Sequence, residues 1–186
     1  MQKIMFNDKY GLTQAVLEGR KTQTRRTFLK PGEETLLDGI TPEYLISVRS
    51  RYKVGETIAI AQSYKDIHAE VLREVFPCDL KKEFRQSKGY SNKMFVKAEM
   101  MPHAIRITNI RVERLQDISE EDCMKEGIWR DDNVGLEGTT YWYHGLANSS
   151  FRTPQEAYAS LIDSISGKGT WASNPYVFVY DFELID

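Results

Sequence analysis

Ile105-Arg106-Ile107-Thr108-Asn109-Ile110-Arg111-Val112 is the stretch that decides the fold. Apolar and basic residues alternate in each half, as in a strand with one buried face. The phase slips by one at Thr108-Asn109. One extra residue in an alternating run marks a β-bulge, common where small barrels bend. Near the other end of the chain, Tyr176 to Ile185 sets Phe178, Tyr180, Phe182 and Leu184 on one side and Val177 and Val179 on the other. Such a strand is buried on most of its surface, and Phe178, Phe182 and Leu184 are expected in one core with Val112.

Other strands and helices are short. Thr57-Ile58-Ala59-Ile60-Ala61 follows the turn residues Val54-Gly55-Glu56 and reads as a strand. Leu12, Ala15 and Val16 recur at helical spacing, predicting a helix over 8–18 that Gly19 ends. Thr22 to Thr27 then alternates and is rich in β-branched residues, the mark of a strand. Ser119 and Asp122 have capping-box spacing before a short helix that Gly127 closes. Thr153-Pro154-Gln155-Glu156 is a stronger capping box with proline at the first helical position, and Tyr158, Leu161, Ile162 and Ile165 follow as one apolar face. With no βαβ rhythm, a doubly wound sheet is disfavoured. The expectation is an α+β protein, a small mixed β-barrel with peripheral helices, carrying irregular insertions at 63–104 and 129–152.

With 186 residues, 41% hydrophobic and 28% charged, the chain fits one globular domain over 1–186. No apolar run approaches the roughly 20 residues that span a bilayer. Met1-Gln2-Lys3-Ile4-Met5-Phe6 lacks the apolar core of an export signal, so a cytoplasmic protein without a membrane partner is expected. Cys78 and Cys123 form no CxxC pair and read as reduced thiols. The histidines His68, His103 and His144 lie far apart without ligand spacing, so neither a metal site nor a cofactor is expected.

A net charge of −2 argues against a general polyanion binder, but the charge is unevenly spread. Residues 1–30 carry seven bases against two acids, and residues 113–137 carry nine acids against three bases. On charge alone, two solvated faces that offset each other suffice. The densest signal is Gly19-Arg20-Lys21-Thr22-Gln23-Thr24-Arg25-Arg26, with four cations and two hydroxyls at a helix-to-strand junction. Cations interleaved with small hydroxyls suit phosphate or carbonyl oxygens. Tyr141-Trp142-Tyr143 in a Gly-rich stretch would be costly to expose unless it packs or binds.

The run Leu17-Glu18-Gly19-Arg20-Lys21-Thr22-Gln23-Thr24-Arg25-Arg26 resembles the signature of ASCH domains, part of the PUA-like superfamily of RNA-associated barrels. The resemblance is closest to the phage and prophage branch. It continues at Gly55-Glu56, at Ile107 to Gly127 (especially Val112 to Glu121) and at Trp171 to Val179, while Ala59, Ala61 and Gln62 stand where that branch usually carries a tryptophan and an Arg-Glu pair. The resemblance implies a PUA-like barrel that binds RNA, a nucleotide or a modified nucleoside, with Arg20, Thr22, Arg25 and Arg26 as ligand contacts. It also implies a second activity. A small bacterial ASCH amidohydrolase, which deacetylates N4-acetylcytidine, uses a lysine, a threonine and a glutamate that match Lys21, Thr24 and Glu126. There Thr24 would be nucleophile, Lys21 its base and Glu126 an orienting or proton-handling group. A third reading is a phage accessory protein without activity.

Overall fold

The computed structural model describes residues 1–28, 39–67, 85–132, 138–145 and 150–185. The slip at Thr108-Asn109 is realised as a bulge in the longest strand. β4 (Ala104–Arg114) pairs antiparallel with β7 (Tyr176–Ile185); Ile107 faces Phe182 and Asn109 faces Asp181, which leaves Thr108 as the extra residue. These two strands form the centre of a sheet. β3 (Thr57–Ile60) pairs antiparallel with β4, and β2 (Gln23–Thr27) pairs antiparallel with β7. β1 (Lys3–Ile4) joins β3 in parallel, giving the order β1-β3-β4-β7-β2.

Five helices accompany the sheet among the described residues: α1 (Leu12–Leu17), α2 (Pro42–Arg49), α3 (Glu120–Lys125), α4 (Pro154–Ser166) and α5 (Thr170–Ser173). The architecture is α+β. The closed barrel expected from the sequence is not seen among the described residues, because β1 and β2 form no ladder with each other. The two edges nevertheless approach: Arg26 in β2 donates to the carbonyl of Met5, just past β1, at 2.6 Å. No described helix is long and apolar enough to cross a membrane.

One hydrophobic cluster holds Ile58, Ile105, Ile107, Phe178 and Phe182 of the sheet together with Val16 of α1, Cys123 of α3 and Leu161 of α4. Val112 and Leu184 pack against it partly buried, so the expected grouping is present. Each large side chain buried there contributes about 1.5–3 kcal/mol of transfer free energy. Ala59 and Ala61 belong to a smaller cluster with Ile67, Val96, Ala98 and Met101. Their small side chains pack directly against Val96, Ala98 and Met101 of the 85–104 segment.

The structure departs from the expected helices in informative ways. The helix predicted over 8–18 is broken at Gly11, which takes the left-handed conformation after a 3-10 turn at Asp8–Tyr10. A Cβ there would meet the His144 side chain at 3.0 Å, so the glycine admits a distant loop. Ser119 caps α3 by accepting from the Asp122 amide, but the Asp122 carboxylate turns away to bind arginines. Ile165 is 37% exposed and departs from the apolar face begun by Tyr158 and Leu161. The 129–152 region is not irregular throughout: β5 (Trp129–Asp131) and β6 (Thr140–Trp142) form a ladder whose register stacks Trp129 on Trp142, centroids 4.6 Å apart. His68 and Cys78 lie outside the described residues.

Gly127 joins α3 to β5 at φ +100. Space is not the constraint, since a Cβ would meet Leu12 at 3.4 Å and Lys21 at 3.8 Å. The backbone is, so Gly127→Ala should destabilise the protein by about 1–2 kcal/mol. The measurement is urea denaturation, with a lower midpoint at unchanged slope; an unchanged midpoint would show that this turn relaxes freely.

Candidate functional site

Gly19, at φ 70, ends α1 in a left-handed turn. The amides of Arg20 and Lys21 both donate to the Ala15 carbonyl at 2.9 Å, and the Thr22 amide donates to the Lys125 carbonyl at 3.0 Å. This tight turn sends the Lys21 side chain into the interior, where it is 2% exposed. Its ammonium nitrogen reaches the Glu126 carboxylate at 2.5 Å and the Glu126 carbonyl at 2.9 Å. A cation at the carbonyl end of α3 is also favoured by the helix dipole.

Arg25, two positions into β2, has no exposed side-chain surface. It reaches Glu113 at 2.5 Å, Asp122 at 3.0 Å and Glu126 at 3.2 Å, and also donates to the Gln23 side-chain oxygen. Arg111 of β4 extends the network to Asp122 at 2.5 Å, Asp181 at 2.7 Å and Glu113 at 3.1 Å. Gln23 closes it by donating to Asp181 at 2.6 Å. The basic and acidic regions are therefore not two solvated faces. Their key members meet inside the fold, and opposite charge in two distant segments was the signal for it. The roles of Arg111 and Asp181 carried no local sequence signature.

Burial is the largest influence on Lys21 and lowers its pKa below the ordinary lysine range; Glu126 opposes this, while Arg26 and Arg25 add to it. Burial would raise Asp122, but the hydrogen bond from Arg25 and the charge of Arg111 hold it below the usual carboxylate range. Burial pushes the Cys123 thiol up to about 12, which leaves it a packing residue rather than a thiolate. Burial, then the nearby Glu126, also raise the Tyr158 hydroxyl.

Lys21, Thr24 and Glu126 line one cavity of about 600 Å³. Phe6, Tyr158, Ile162 and Val177 supply aromatic and apolar wall, and Arg26 and Asp8 are exposed members of the lining. Lys93, from the predicted insertion, joins the wall by donating to the Phe6 carbonyl at 2.6 Å and to Asp8 at 2.7 Å. Thr24 is only 5% exposed. Its hydroxyl has no hydrogen-bond partner among the described residues, and Lys21 contacts Glu126 rather than Thr24. The ion pair alone thus accounts for Lys21 and Glu126, but not for Thr24.

The ligand contacts expected from the sequence divide sharply. Arg25 and Arg26 line the cavity, whereas Arg20 and Thr22 do not. Arg20 instead pairs with Glu18 at 2.5 Å and lies over the Trp129 ring at 4.1 Å. Arg25, though on the cavity, is engaged by three carboxylates. Arg26 meets no carboxylate among the described residues and keeps donors for a ligand. Tyr141 and Trp142 lie in β6 and Tyr143 is buried against Tyr10 and Phe151, so this aromatic run is packing.

No family model matches the chain, and no curated protein matches it. Among solved structures it is similar to protein EF3133 from Enterococcus faecalis V583, a DUF984 protein, at 15% identity and a TM-score of 0.46. That likeness covers 100% of this chain and 81% of the other. At such distance it fixes neither fold nor activity.

Removing Arg25 takes one cation from three carboxylates at once, leaving Glu113 and Asp122 to Arg111 and Glu126 to Lys21, so Arg25→Met should cost about 3–5 kcal/mol. Lys21→Met should cost less, because Glu126 keeps Arg25. Denaturant titration of both variants orders them; a larger loss for Lys21→Met would overturn the assignment of Arg25 as the hub.

Proposed function

We propose that this protein is an ASCH-like, PUA-like domain of the prophage type, cytoplasmic, whose cavity takes one modified pyrimidine nucleoside, free or carried in a nucleotide or RNA. One observation carries the reading: Thr24, whose hydroxyl has no hydrogen-bond partner among the described residues, opens onto a cavity of about 600 Å³ beside Lys21 and Glu126. Its oxygen is not sealed from the cavity, so it can donate to and accept from a ligand or water there. The volume falls in the range of about 300–1,000 Å³ typical of small-molecule sites. Phe6 and Tyr158 offer aromatic surface for a base. The curled sheet, with Arg26 reaching from β2 to Met5, is what a PUA-like barrel would need at its closing seam.

A second reading, hydrolysis of an acyl group from the ligand's exocyclic amine, is favoured by the state of Lys21. A neutral amine has two hydrogens, and the Glu126 carbonyl and carboxylate accept two bonds from this nitrogen. Its lone pair would then be free to take the proton of Thr24 as the hydroxyl attacks the acyl carbon. The amine leaves with a proton, and water cleaves the resulting ester. Closure on a ligand must bring Lys21 and Thr24 together, since they are not bonded to each other here.

Calorimetry with N4-acetylcytidine should detect binding, weakened about tenfold in Thr24→Val by loss of one buried hydrogen bond. Equal affinity of the variant would remove Thr24 from the site, and no binding by the wild type would leave the inactive accessory protein as the better reading. For hydrolysis, chromatography should show release of cytidine, lost in Thr24→Ala and in Lys21→Met. A neutral lysine is the active form, so the rate should rise with pH and level off below the ordinary lysine range. Absence of release from a panel of N4-acylated cytidines would exclude hydrolysis and leave binding.

A further inference from the structure

A second hollow, of about 280 Å³, adjoins the cavity and shares Met5, Arg26 and Thr27 with it. Its charged lining consists of Lys3, Arg26, Arg49 and Arg51, with no carboxylate among them. Lys3 is already engaged, donating to the carbonyls of Lys93, Met94 and Val96 at 3.1, 2.6 and 2.7 Å. The arginines are not. Arg49 and Arg51 make no guanidinium hydrogen bond or ion pair among the described residues, and Arg51 only lies over the Tyr52 ring, 5.4 Å from its centroid. Arg26 makes its single bond to the Met5 carbonyl.

Three like charges are thus gathered around one small hollow, exposed to water and facing no carboxylate of its lining. The carbonyl end of α2 favours a cation at Arg49. It does not account for Arg26 and Arg51 on the same hollow. Tyr52, Phe178 and Tyr180 complete the wall, and Tyr180 is fixed by its contacts with Ser50 Oγ at 3.2 Å and the Arg51 amide at 3.3 Å. The cations are thus set on a rigid aromatic floor, a good arrangement for an anion with several oxygens.

We infer that this hollow holds a phosphate of the ligand whose base occupies the adjoining cavity. The inference rests on the proposed nucleoside reading of that cavity. The larger cavity is ill suited to the phosphate, because Lys21, Arg25 and Lys93 already face Glu126 or Asp8 there. Arg26 lines both spaces and links them. A phosphate monoester of a free nucleotide and a phosphodiester of RNA present the same oxygens to these donors.

Calorimetry tests this with N4-acetylcytidine, its 5′-monophosphate, a dinucleotide containing it, and inorganic pyrophosphate. Each is titrated into the wild type and the Arg49→Ala/Arg51→Ala double variant, whose exposed changes should leave the circular dichroism spectrum intact. A phosphorylated form should bind about tenfold or more tightly than the nucleoside. The gain should shrink with salt and vanish in the variant, while nucleoside affinity stays the same. A gain with the monophosphate identifies a free nucleotide, and a gain with the dinucleotide alone identifies RNA; either supports the hollow. No gain, or a gain that survives in the variant, overturns it while leaving nucleoside binding in place. Should the nucleoside itself not bind, pyrophosphate decides. Arginine-dependent binding then upholds the anion site without the nucleoside, and its absence rejects the site.

Discussion

Arg25 ties β2 to β4 and α3, whose carboxylates lie 88 to 101 residues further along the chain. Its guanidinium is removed from water, a loss of several kcal/mol that only close carboxylates offset. Glu113 arrives from β4, and Asp122 and Glu126 arrive from α3 and its C-terminal end. β2 and β4 are not neighbours in the sheet, for β7 lies between them. The register explains how the arginine spans that gap. Arg25 and Arg111 both stand opposite Val179, and Gln23 and Asn109 both stand opposite Asp181. Small valines on the intervening strand leave the long polar side chains room to meet above it. Any shift of β2 by one residue would turn Arg25 to the other face and take one cation from each of Glu113, Asp122 and Glu126.

The bulge at Thr108 serves the same arrangement. Before it, Ile107 faces Phe182; after it, Ile110 faces Tyr180, which keeps both isoleucines on the aromatic face of β7. The extra residue therefore places Asn109, Arg111 and Glu113 together on the polar face. β2 is the edge of the sheet, and the consecutive residues Thr24, Arg25, Arg26 and Thr27 all line the cavity. An exposed edge lets both faces of one strand contribute to one site, which a central strand could not do. Lys21 needs no such device, because the turn at Gly19 brings it in before the strand begins.

Local chemistry made much of the fold legible. The alternation slip located the bulge, the apolar run 176–185 matched β7 end to end, and Thr153 with Pro154 marked the start of α4. What stayed hidden depends on partners remote in sequence. Gly11 breaks the helix by its left-handed backbone, at a position that also admits the His144 side chain, and Trp129 finds Trp142 only through a ladder of two three-residue strands. The parallel strand β1 is two residues long, too short to show a period. In the site, the motif spacing brought Lys21 and Glu126 into contact and Thr24 onto the same cavity. Density of positive charge did not separate Arg20, which lies off the cavity, from Arg25 and Arg26, which line it, because charge content says nothing about which cations a fold neutralises internally.

That distinction separates the groups folding consumes from those it leaves over. Arg25, Arg111, Glu113, Asp122 and Asp181 satisfy one another, and a ligand competing for them would have to break a buried network. Lys21 and Glu126 are intermediate: each is paired, yet both border open volume. Thr24, Arg26, Arg49 and Arg51 have unfilled hydrogen-bonding capacity and line two adjoining spaces. Polar groups with no internal partner persist at some energetic expense when buried, or through mutual repulsion when like-charged and close. Thr24 keeps its hydroxyl unbonded on the cavity wall, and the arginines of the adjoining hollow face no carboxylate there, whereas Arg25 on the same strand is paired with three. The groups left over at this edge are therefore the ones a ligand can engage without breaking the buried network.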